Sequence, residues 1–405
     1  MVLAAHDLQV FTDIVGATHV REATAHDQVS GVVPRLVVSP RDEAEVASVL
    51  AAATAHHVAV AVRGGGTKLD WGSPPERCDI VVSTTRIAGI VDHEPADLVC
   101  VVRAGTTLVR LQEQLGSVPG FRQRLMLDPP QGAHATVGGV VATAASGPLR
   151  TRFGTARDLV IGAAFVLSDG TTGRSGGKVV KNVAGFDVAK LLVGSLGTLA
   201  VITEVAFRLH PLPAASRTVV FASRSPDELC DFADAVSRLQ VTPSIVDLHW
   251  PEGLVLARFD SSERGCQVQA EQVTERAGGR ILSEQEAVAL ASLLAGSPWS
   301  EPGCIAAVAM LPSRVAEFMS SLSTTLEAAV LRPHLGTGEV RFHPDGLETV
   351  RAVLRRVDAR IVIRRGGVLT AGEPDDDIAL DLMRSVKRRL DPTRTLSPGR
   401  QVGGI

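Results

Sequence analysis

The sequence is poor in the groups on which several common functions depend. It contains no tyrosine, and aromatic residues make up only 3% of its 405 residues. A phenol of this chain therefore cannot act as a general acid. Charged residues amount to 21%, with a formal net charge of −3, whereas nucleic-acid-binding proteins usually carry a basic face. The composition thus argues against a nucleic-acid partner.

Cysteine is also scarce, since the chain has five cysteines and no pair of them has the CxxC spacing. Iron–sulfur clusters and structural zinc sites usually need such pairs. We therefore expect free thiols in a reducing cytoplasm, and no metal site. No run of about 20 apolar residues occurs, so we expect no direct membrane span.

The 45% of apolar residues is enough for two domains. In the first half, the pattern predicts strands over residues 36–38, 58–62, 80–84, 99–104, 159–167 and 199–209, and helices over 44–55, 106–115 and 136–145. We expect Ser39 to cap the first helix, with Pro40 in its first turn. Asp169-Gly170 predicts a hairpin. The sequence HPLP ending at Pro213 indicates a domain boundary.

The second half mixes strands with helices, which favours an α+β layer with an antiparallel sheet. The predicted strands are 218–222, 253–259 and 305–310, and the predicted helices are 226–239, 268–276, 312–329 and 378–390. The expected organisation is an N-terminal segment (1–29), a first domain (30–213), a second domain (214–390) and a C-terminal tail (391–405).

Three glycine-rich motifs stand out in the first half. In the first, Gly64, Gly65 and Gly66 follow a strand, so their N–H groups can curl around an anion, although a plain turn is the alternative. A dinucleotide fingerprint would need glycine at position 69, which is Leu69. A P-loop ending at Gly177-Lys178 would need glycine at 172 and Ser or Thr at 179, and the chain has Thr and Val there.

The second motif is a stiff Asp128-Pro129-Pro130 segment that leads into a helix beginning TVGG at Thr136. A helix start without bulky side chains lets a phosphate or flat ring approach its N–H groups, and tight helix packing is the alternative. In the third motif, a turn at residues 181–187 and a glycine-spaced segment at 194–203 feed a strand. The backbone of such a strand can bind the edge of a flat ring.

In this order, the motifs resemble the FAD-binding domain of the vanillyl-alcohol oxidase and p-cresol methylhydroxylase (PCMH) superfamily, and within it the FAD-binding subunits of bacterial glycolate oxidase. The resemblance covers residues 30–213 and the tail Asp391-Pro392 to Arg400. It implies an α+β protein, with a two-part FAD-binding domain followed by a cap domain with an antiparallel sheet. The cofactor-binding residues that it implies are Arg63, Gly64, Gly65, Gly66, Thr67, Lys68, Pro129, Pro130, Thr136, Gly138, Gly139, Ala142, Ser146, Gly147, Gly154, Gly197, Val201 and Ile202.

Some positions depart from the family pattern. Thr67 stands where some members attach the flavin to histidine, so the resemblance implies a non-covalent FAD. Val140 and Ala144 replace common asparagines, and Leu196 replaces a glutamate, so flavin contacts there should depend on the backbone. Lys178 and Lys181 could steady the flavin loop or lie in water.

Related D-2-hydroxyacid dehydrogenases carry HxGDGNxH and GEHG elements on the substrate side. Here the first element reads HLGTGEVR from His334, with Thr337 and Arg341 in place of its acid and second histidine, and Gly372-Glu373 lacks the GEHG histidine. The metal site of those enzymes is therefore not expected. Arg341 and His343 remain candidate catalytic residues, because a guanidinium suits a carboxylate; a strand arginine and a surface histidine are the alternatives.

The resemblance implies a subunit of a glycolate-oxidase-like complex that oxidises a small D-2-hydroxy acid, glycolate to glyoxylate. The implied partners are a second flavoprotein subunit and an iron–sulfur subunit, which would take the electrons onward. A stand-alone hydroxy-acid oxidoreductase and an assembly subunit with a vestigial flavin site are the alternatives. The expected location is the cytoplasm, with any membrane attachment through partners.

Overall fold

The computed structural model describes residues 5–178, 186–366 and 377–405. These residues divide into two compact units. The first unit comprises residues 5–146, 155–178, 186–212 and 377–405, and the second unit comprises residues 147–154 and 213–366. The chain passes from the first unit to the second after Leu212, and the short segment 147–154 groups with the second unit.

In chain order, the described helices are α1 (Ala5–Val15), α2 (Glu43–Ala55), α3 (Leu108–Gly116), α4 (Val137–Thr143), α5 (Arg150–Phe153), α6 (Ala156–Leu159), α7 (Val188–Leu192), α8 (Pro226–Arg238), α9 (Glu263–Arg276), α10 (Glu284–Leu294), α11 (Val315–Leu322), α12 (Leu347–Arg356) and α13 (Asp377–Leu390). None of these helices is long and apolar enough to cross a membrane.

The described strands are β1 (Val20–Glu22), β2 (Leu36–Val38), β3 (Val60–Arg63), β4 (Ile80–Ser83), β5 (Ile90–Glu94), β6 (Val99–Arg103), β7 (Gln123–Arg124), β8 (Val160–Val166), β9 (Thr172–Gly176), β10 (Val201–Arg208), β11 (His210–Pro211), β12 (Ala215–Ala222), β13 (Ile245–Trp250), β14 (Leu254–Ser261), β15 (Arg280–Ile281), β16 (Cys304–Ala309), β17 (Leu326–Arg332), β18 (Thr337–Phe342) and β19 (Arg360–Arg365).

A four-stranded sheet in the order β1-β2-β4-β3 begins the first unit. Strands β2, β4 and β3 are parallel, and β1 is antiparallel to β2. Alternate side chains of its strands, such as Val38, Val60 and Val82, share one buried cluster with Val49 and Leu50 of α2. Burial of each such side chain stabilises the fold by about 1.5–3 kcal/mol. This core fixes β3, whose end leads into the triple glycine.

The start of α2 differs from the expectation. Asp42, and not Ser39, is the N-cap residue, and its carboxylate accepts a hydrogen bond from the Glu45 backbone N–H at 2.9 Å. This bond lowers the pKa of Asp42, because it favours the charged carboxylate. Pro40 therefore lies before the helix and not in its first turn.

The first unit also contains a five-stranded antiparallel sheet, with the strand order β5-β6-β10-β8-β9. The predicted hairpin at Asp169-Gly170 is confirmed, since Val166 pairs with Thr172 across it. Gly170 has a φ of +88°, which glycine adopts without strain, and Asp169 accepts a hydrogen bond from the Thr171 N–H at 2.8 Å.

The second unit is built on an eight-stranded sheet in the order β15-β12-β14-β13-β17-β18-β16-β19, with every pairing antiparallel. The predicted helix 312–329 is wrong in its second half. Helix α11 ends at Leu322, and β17 begins at Leu326. The segment has helix-forming residues, but Ala329, Val330 and Leu331 are buried between β13 and β18, and this packing decides its structure. The predicted α+β class with an antiparallel second sheet is confirmed.

Helix α13 and the tail behind it belong to the first unit, although the expected second domain reached residue 390. Lys387 explains this placement. Its ammonium group is buried and donates to Asp391 at 2.6 Å, to the Thr198 carbonyl at 2.7 Å and to the Leu396 carbonyl at 2.7 Å. Asp391 in turn accepts from the backbone N–H groups of Thr395 and Leu396. A paired buried charge of this kind fixes the path of the tail.

Candidate functional site

A cavity of about 670 Å³, part of it open to solvent, lies in the first unit. It is bordered by the loop after β3, by α4 and by the segment that enters β10. The predicted cofactor residues that line it are Gly64, Gly65, Gly66, Thr67, Lys68, Thr136, Gly138, Gly139, Ala142, Gly197 and Ile202. The lining residues outside the predicted cofactor-binding set are Val62, Leu69, Thr84, Ala135, Thr143, Leu196, Ala200 and Arg400. The fold thus brings all three glycine-rich motifs to one cavity.

Two glycines of the first motif leave no space for a Cβ atom beside residues 134–136. A Cβ atom on Gly64 would lie 1.9 Å from Thr136 Oγ1, and one on Gly65 would lie 1.7 Å from the His134 carbonyl oxygen. Gly66 has a φ of +76°, in the left-handed region that favours glycine. Gly64 and Gly65 thus pack the loop after β3 closely against residues 134–136, and all three glycines of the loop line the cavity.

Arg63 does not line the cavity. Its Nη1 pairs with Asp27, whose carboxylate also accepts from Arg21 at 2.7 and 2.8 Å. The hydrogen bonds from Arg21 hold the pKa of Asp27 well below its usual range. Asp27, which is 1% exposed, therefore fastens the N-terminal segment to the end of β3. Arg63 positions the glycine loop, and its predicted direct contact with the cofactor does not follow from this geometry.

Thr136 carries an unused hydroxyl into the cavity. It is the N-cap residue of α4, yet its side chain makes no capping hydrogen bond. Its Oγ1 is buried and has no hydrogen-bond partner. A buried polar group without a partner costs about 1–3 kcal/mol. A ligand with a polar atom beside Oγ1 would remove that cost.

The first N–H groups of α4 are not available to a phosphate. Those of Val137 and Gly138 donate to the carbonyls of Thr106 and Ala104, at 2.9 and 2.8 Å. A Cβ on Gly138 would lie 2.7 Å from the Ala104 Cβ. The tight-packing alternative therefore describes Gly138 better than the anion-binding one.

Lys68 joins the first motif to the second. Its ammonium group donates to the Pro130 carbonyl at 2.9 Å and to Thr67 Oγ1 at 3.0 Å, and lies 5.7 Å from the centre of the Trp71 ring. Burial lowers the pKa of Lys68 to about 8, so the side chain remains largely charged at neutral pH. Pro130 thus contributes a carbonyl that holds the loop, while neither it nor Pro129 lines the cavity.

Arg400 brings a second buried cation to the cavity, from the C-terminal tail. It is 3% exposed, and its Nη2 donates to the carbonyls of Leu69 and Trp71 at 3.1 Å and of Lys68 at 3.5 Å. Burial lowers the pKa of Arg400 to about 10, which still leaves it protonated at neutral pH. Its Nε is buried without a hydrogen-bond partner.

The remaining predicted positions lie elsewhere. Ser146, Gly147, Gly154 and Val201 are not among the residues that line the cavity. Lys178 forms an ion pair with Asp92. Lys181 lies outside the described residues, as does Gly372-Glu373.

The residues that line the cavity suit FAD. The three glycines of the loop line the cavity, the Thr136 hydroxyl lacks a partner among the described residues, and Lys68 and Arg400 supply positive charge for a diphosphate. The bound cofactor would supply the two-electron chemistry of hydride transfer. The residues of the chain bind and orient it.

The second unit contains a buried polar cluster, formed by Asp247, His249, Arg332, His334, Thr337 and Glu339. Register places Asp247 and His249 of β13 beside β17, which ends at Arg332, and Arg332 opposite Thr337 of β18. Arg332 Nε lies 3.3 Å from Asp247, and its Nη1 lies 3.0 Å from Glu339. Burial raises the pKa of Asp247 to about 6.

Several atoms of this cluster lack hydrogen-bond partners. They include both carboxylate oxygens of Asp247, Nδ1 of His249, both ring nitrogens of His334 and the Thr337 hydroxyl. Burial lowers the pKa of both histidines to about 4, so their rings are neutral. Within the described chain, no three His, Cys, Asp or Glu side chains are grouped to hold a metal ion. The carboxyl and imidazole side chains of the cluster can accept or donate protons. The sequence prediction named none of its members as catalytic.

The predicted catalytic residues have other partners. Arg341 is paired with Glu301 at 3.1 Å and Glu327 at 3.3 Å. The His343 side chain is 68% exposed and accepts a hydrogen bond from the Asp345 N–H at a short helical turn. Arg341 is thus a paired arginine on a strand, and His343 is a histidine at the surface, as the two alternatives have it.

Comparisons with known proteins also indicate that the chain binds FAD. A family model described as an FAD binding domain matches residues 34–176. The chain is 27% identical to a D-lactate dehydrogenase of Archaeoglobus fulgidus over 91% of both chains. It is 40% identical to glycolate oxidase subunit GlcE of Escherichia coli over 38% of this chain and 43% of that one. The solved structure of p-cresol methylhydroxylase with substrate bound has the same fold, with a TM-score of 0.74, 15% identity and coverage of 98% and 96%. The chain thus carries an FAD binding domain, has the fold of p-cresol methylhydroxylase and is an FAD-dependent oxidoreductase.

Proposed function

We propose that the chain is a non-covalent FAD-binding subunit of a glycolate-oxidase-like complex that oxidises a small D-2-hydroxy acid, glycolate to glyoxylate. The joint similarity to the archaeal D-lactate dehydrogenase and to GlcE supports this proposal, because both names denote enzymes or subunits acting on 2-hydroxy acids. The expected partners are a second flavoprotein subunit and an iron–sulfur subunit. On this proposal the protein works in the cytoplasm, and any membrane attachment comes through the partners.

The lining of the cavity supports a non-covalent cofactor. Neither histidine nor cysteine is among the described residues that line it, and those are common sites of covalent flavin attachment. Thr67 lies at the cavity at the position where the family pattern has its attachment histidine. Acid precipitation of the purified protein should therefore release all of its flavin into the supernatant, whereas flavin in the pellet would contradict the proposal.

The buried polar cluster is our candidate for the substrate side. Oxidation of a hydroxy acid requires a base for the hydroxyl proton as hydride leaves the carbon. His249 is 6% exposed and neutral, with a free Nδ1 that can accept this proton. An anionic substrate beside the ring would raise its pKa.

Tagged chain isolated from its native cell tests the proposal. We expect a second flavoprotein and an iron–sulfur protein to co-purify, and glycolate to drive reduction of a dye by the complex. The chain isolated alone with the same activity would favour the stand-alone oxidoreductase. In the complex, His249→Gln should lower the turnover with flavin content unchanged, while His343→Gln should have no effect. The reverse pattern would remove the cluster from the substrate side.

A further inference from the structure

The C-terminal tail runs beside the strand that leads into the glycine loop. The Val60 N–H donates to the Thr395 carbonyl at 2.8 Å, and the Ser397 N–H donates to the Val60 carbonyl at 2.9 Å. Leu396 between them is completely buried in the core below α2. These two backbone hydrogen bonds, on either side of the buried Leu396, hold the tail beside β3 through one isolated parallel β-bridge between Val60 and Leu396. The end of the chain is therefore held against the cofactor cavity.

The charge at this end of the cavity is unbalanced. Arg400 and Lys68 are both buried cations, at 3% and 7% exposure, and the exposed carboxylate of Asp70 acts electrostatically on both. Cys78, which also lies near Arg400, is not a counter-ion, because burial raises its pKa to about 12. A buried cation is stable only with a compensating negative charge.

Arg400 also has one hydrogen-bond donor that no acceptor among the described residues receives. Its Nη2 is directed to the carbonyls of the loop that follows the glycines. Its Nε–H is buried without an acceptor among the described residues, and Arg400 lines the cavity. The guanidinium is thus held in place by the protein, with one donor left for a ligand.

We infer that Arg400 is a binding residue for FAD, and that its Nε donates to an oxygen of the cofactor that carries negative charge. That oxygen belongs either to the diphosphate or to the pyrimidine part of the flavin ring, which becomes anionic on reduction. The tail is then part of the cofactor site, more than 300 residues away in sequence from the glycine loop that it completes.

Titration of the apo-protein with FAD tests this inference. Arg400→Gln should raise the Kd for FAD about 10- to 100-fold, as expected for a lost hydrogen bond to a charged group, and should weaken the salt dependence of the Kd. Arg394→Gln is the matched control, because Arg394 lies on the same tail in a half-exposed pair with Glu76 at 2.8 Å. It should bind FAD like the wild type.

Riboflavin, which has no phosphate, separates the two sources of the oxygen. If the diphosphate is the acceptor, Arg400→Gln leaves the Kd for riboflavin unchanged. If the flavin ring is the acceptor, the variant weakens riboflavin binding and lowers the midpoint potential of the bound flavin. An unchanged Kd for FAD would overturn the inference. A raised Kd for FAD with the salt dependence of the wild type and an unchanged Kd for riboflavin would also overturn it, since Arg400 would then only support the loop. Either result leaves the FAD assignment intact.

Discussion

Alanine at Gly65 should damage the cofactor cavity more than alanine at Gly64. A Cβ on Gly65 would lie 1.7 Å from the carbonyl oxygen and 2.9 Å from the carbonyl carbon of His134. Both are backbone atoms, so no side-chain rotation relieves the clash. A Cβ on Gly64 instead meets Thr136 Oγ1 at 1.9 Å and the Thr136 Cβ at 3.1 Å. That clash is with a side chain, which can be shortened.

The contacts set the expected magnitudes. Overpacking of a close-packed site costs about 1–3 kcal/mol. We expect Gly65→Ala to reach or exceed about 3 kcal/mol, because the loop backbone must move. Gly64→Ala should fall within that range, and Thr136→Ala should recover about 1–2 kcal/mol of it by removing Oγ1. The same Thr136 change should recover nothing in Gly65→Ala.

Urea unfolding of the apo-proteins and FAD titration measure these differences. Gly116→Ala is the control, because no atom lies within 4 Å of a Cβ at Gly116, which ends α3. It should leave both the unfolding free energy and the Kd for FAD near their wild-type values. If Gly65→Ala matched this control in both measurements, the close approach of the loop to residues 134–136 would be refuted.

Three further predictions concern buried charges. Asp27→Asn should lower the unfolding free energy by about 2 kcal/mol at neutral pH; because the pKa of Asp27 is lowered in the folded protein, the deficit should shrink as the pH falls below the unfolded value of 3.8. Burial raises the pKa of Asp247 from 3.8 to about 6, so the folded protein holds this proton to a higher pH than the unfolded chain does. As the pH rises from about 4 to about 6, the unfolding free energy of the wild type should therefore fall by up to ~3 kcal/mol relative to that of Asp247→Asn. Urea unfolding at each pH measures this difference. Lys387→Met leaves Asp391 buried without its ammonium partner and should cost about 3–5 kcal/mol, whereas Arg384→Met, in a half-exposed pair on the same helix, should cost less than about 1 kcal/mol.

The glycine loop was predictable from the sequence because its signal is local. Consecutive glycines after an apolar strand have few roles, and backbone approach to a ligand is one of them. The strand β17 was not predictable in this way. Its residues favour a helix, and only its place between β13 and β18 makes it a strand. The cap of α2 shows the same limit, because both Ser39 and Asp42 are good capping residues and local sequence does not choose between them.

The functional side chains that the sequence did not reveal come from positions far apart in the chain. Arg400 reaches the loop carbonyls across more than 300 residues, through the buried Leu396 and its neighbours. Asp247 and Arg332 meet because Leu248 of β13 pairs with Leu331 of β17. In each case one charged residue stands in an otherwise ordinary strand or tail, with no spacing that marks it. Buried atoms without hydrogen-bond partners are the signal that identifies such residues, and only a three-dimensional structure shows them.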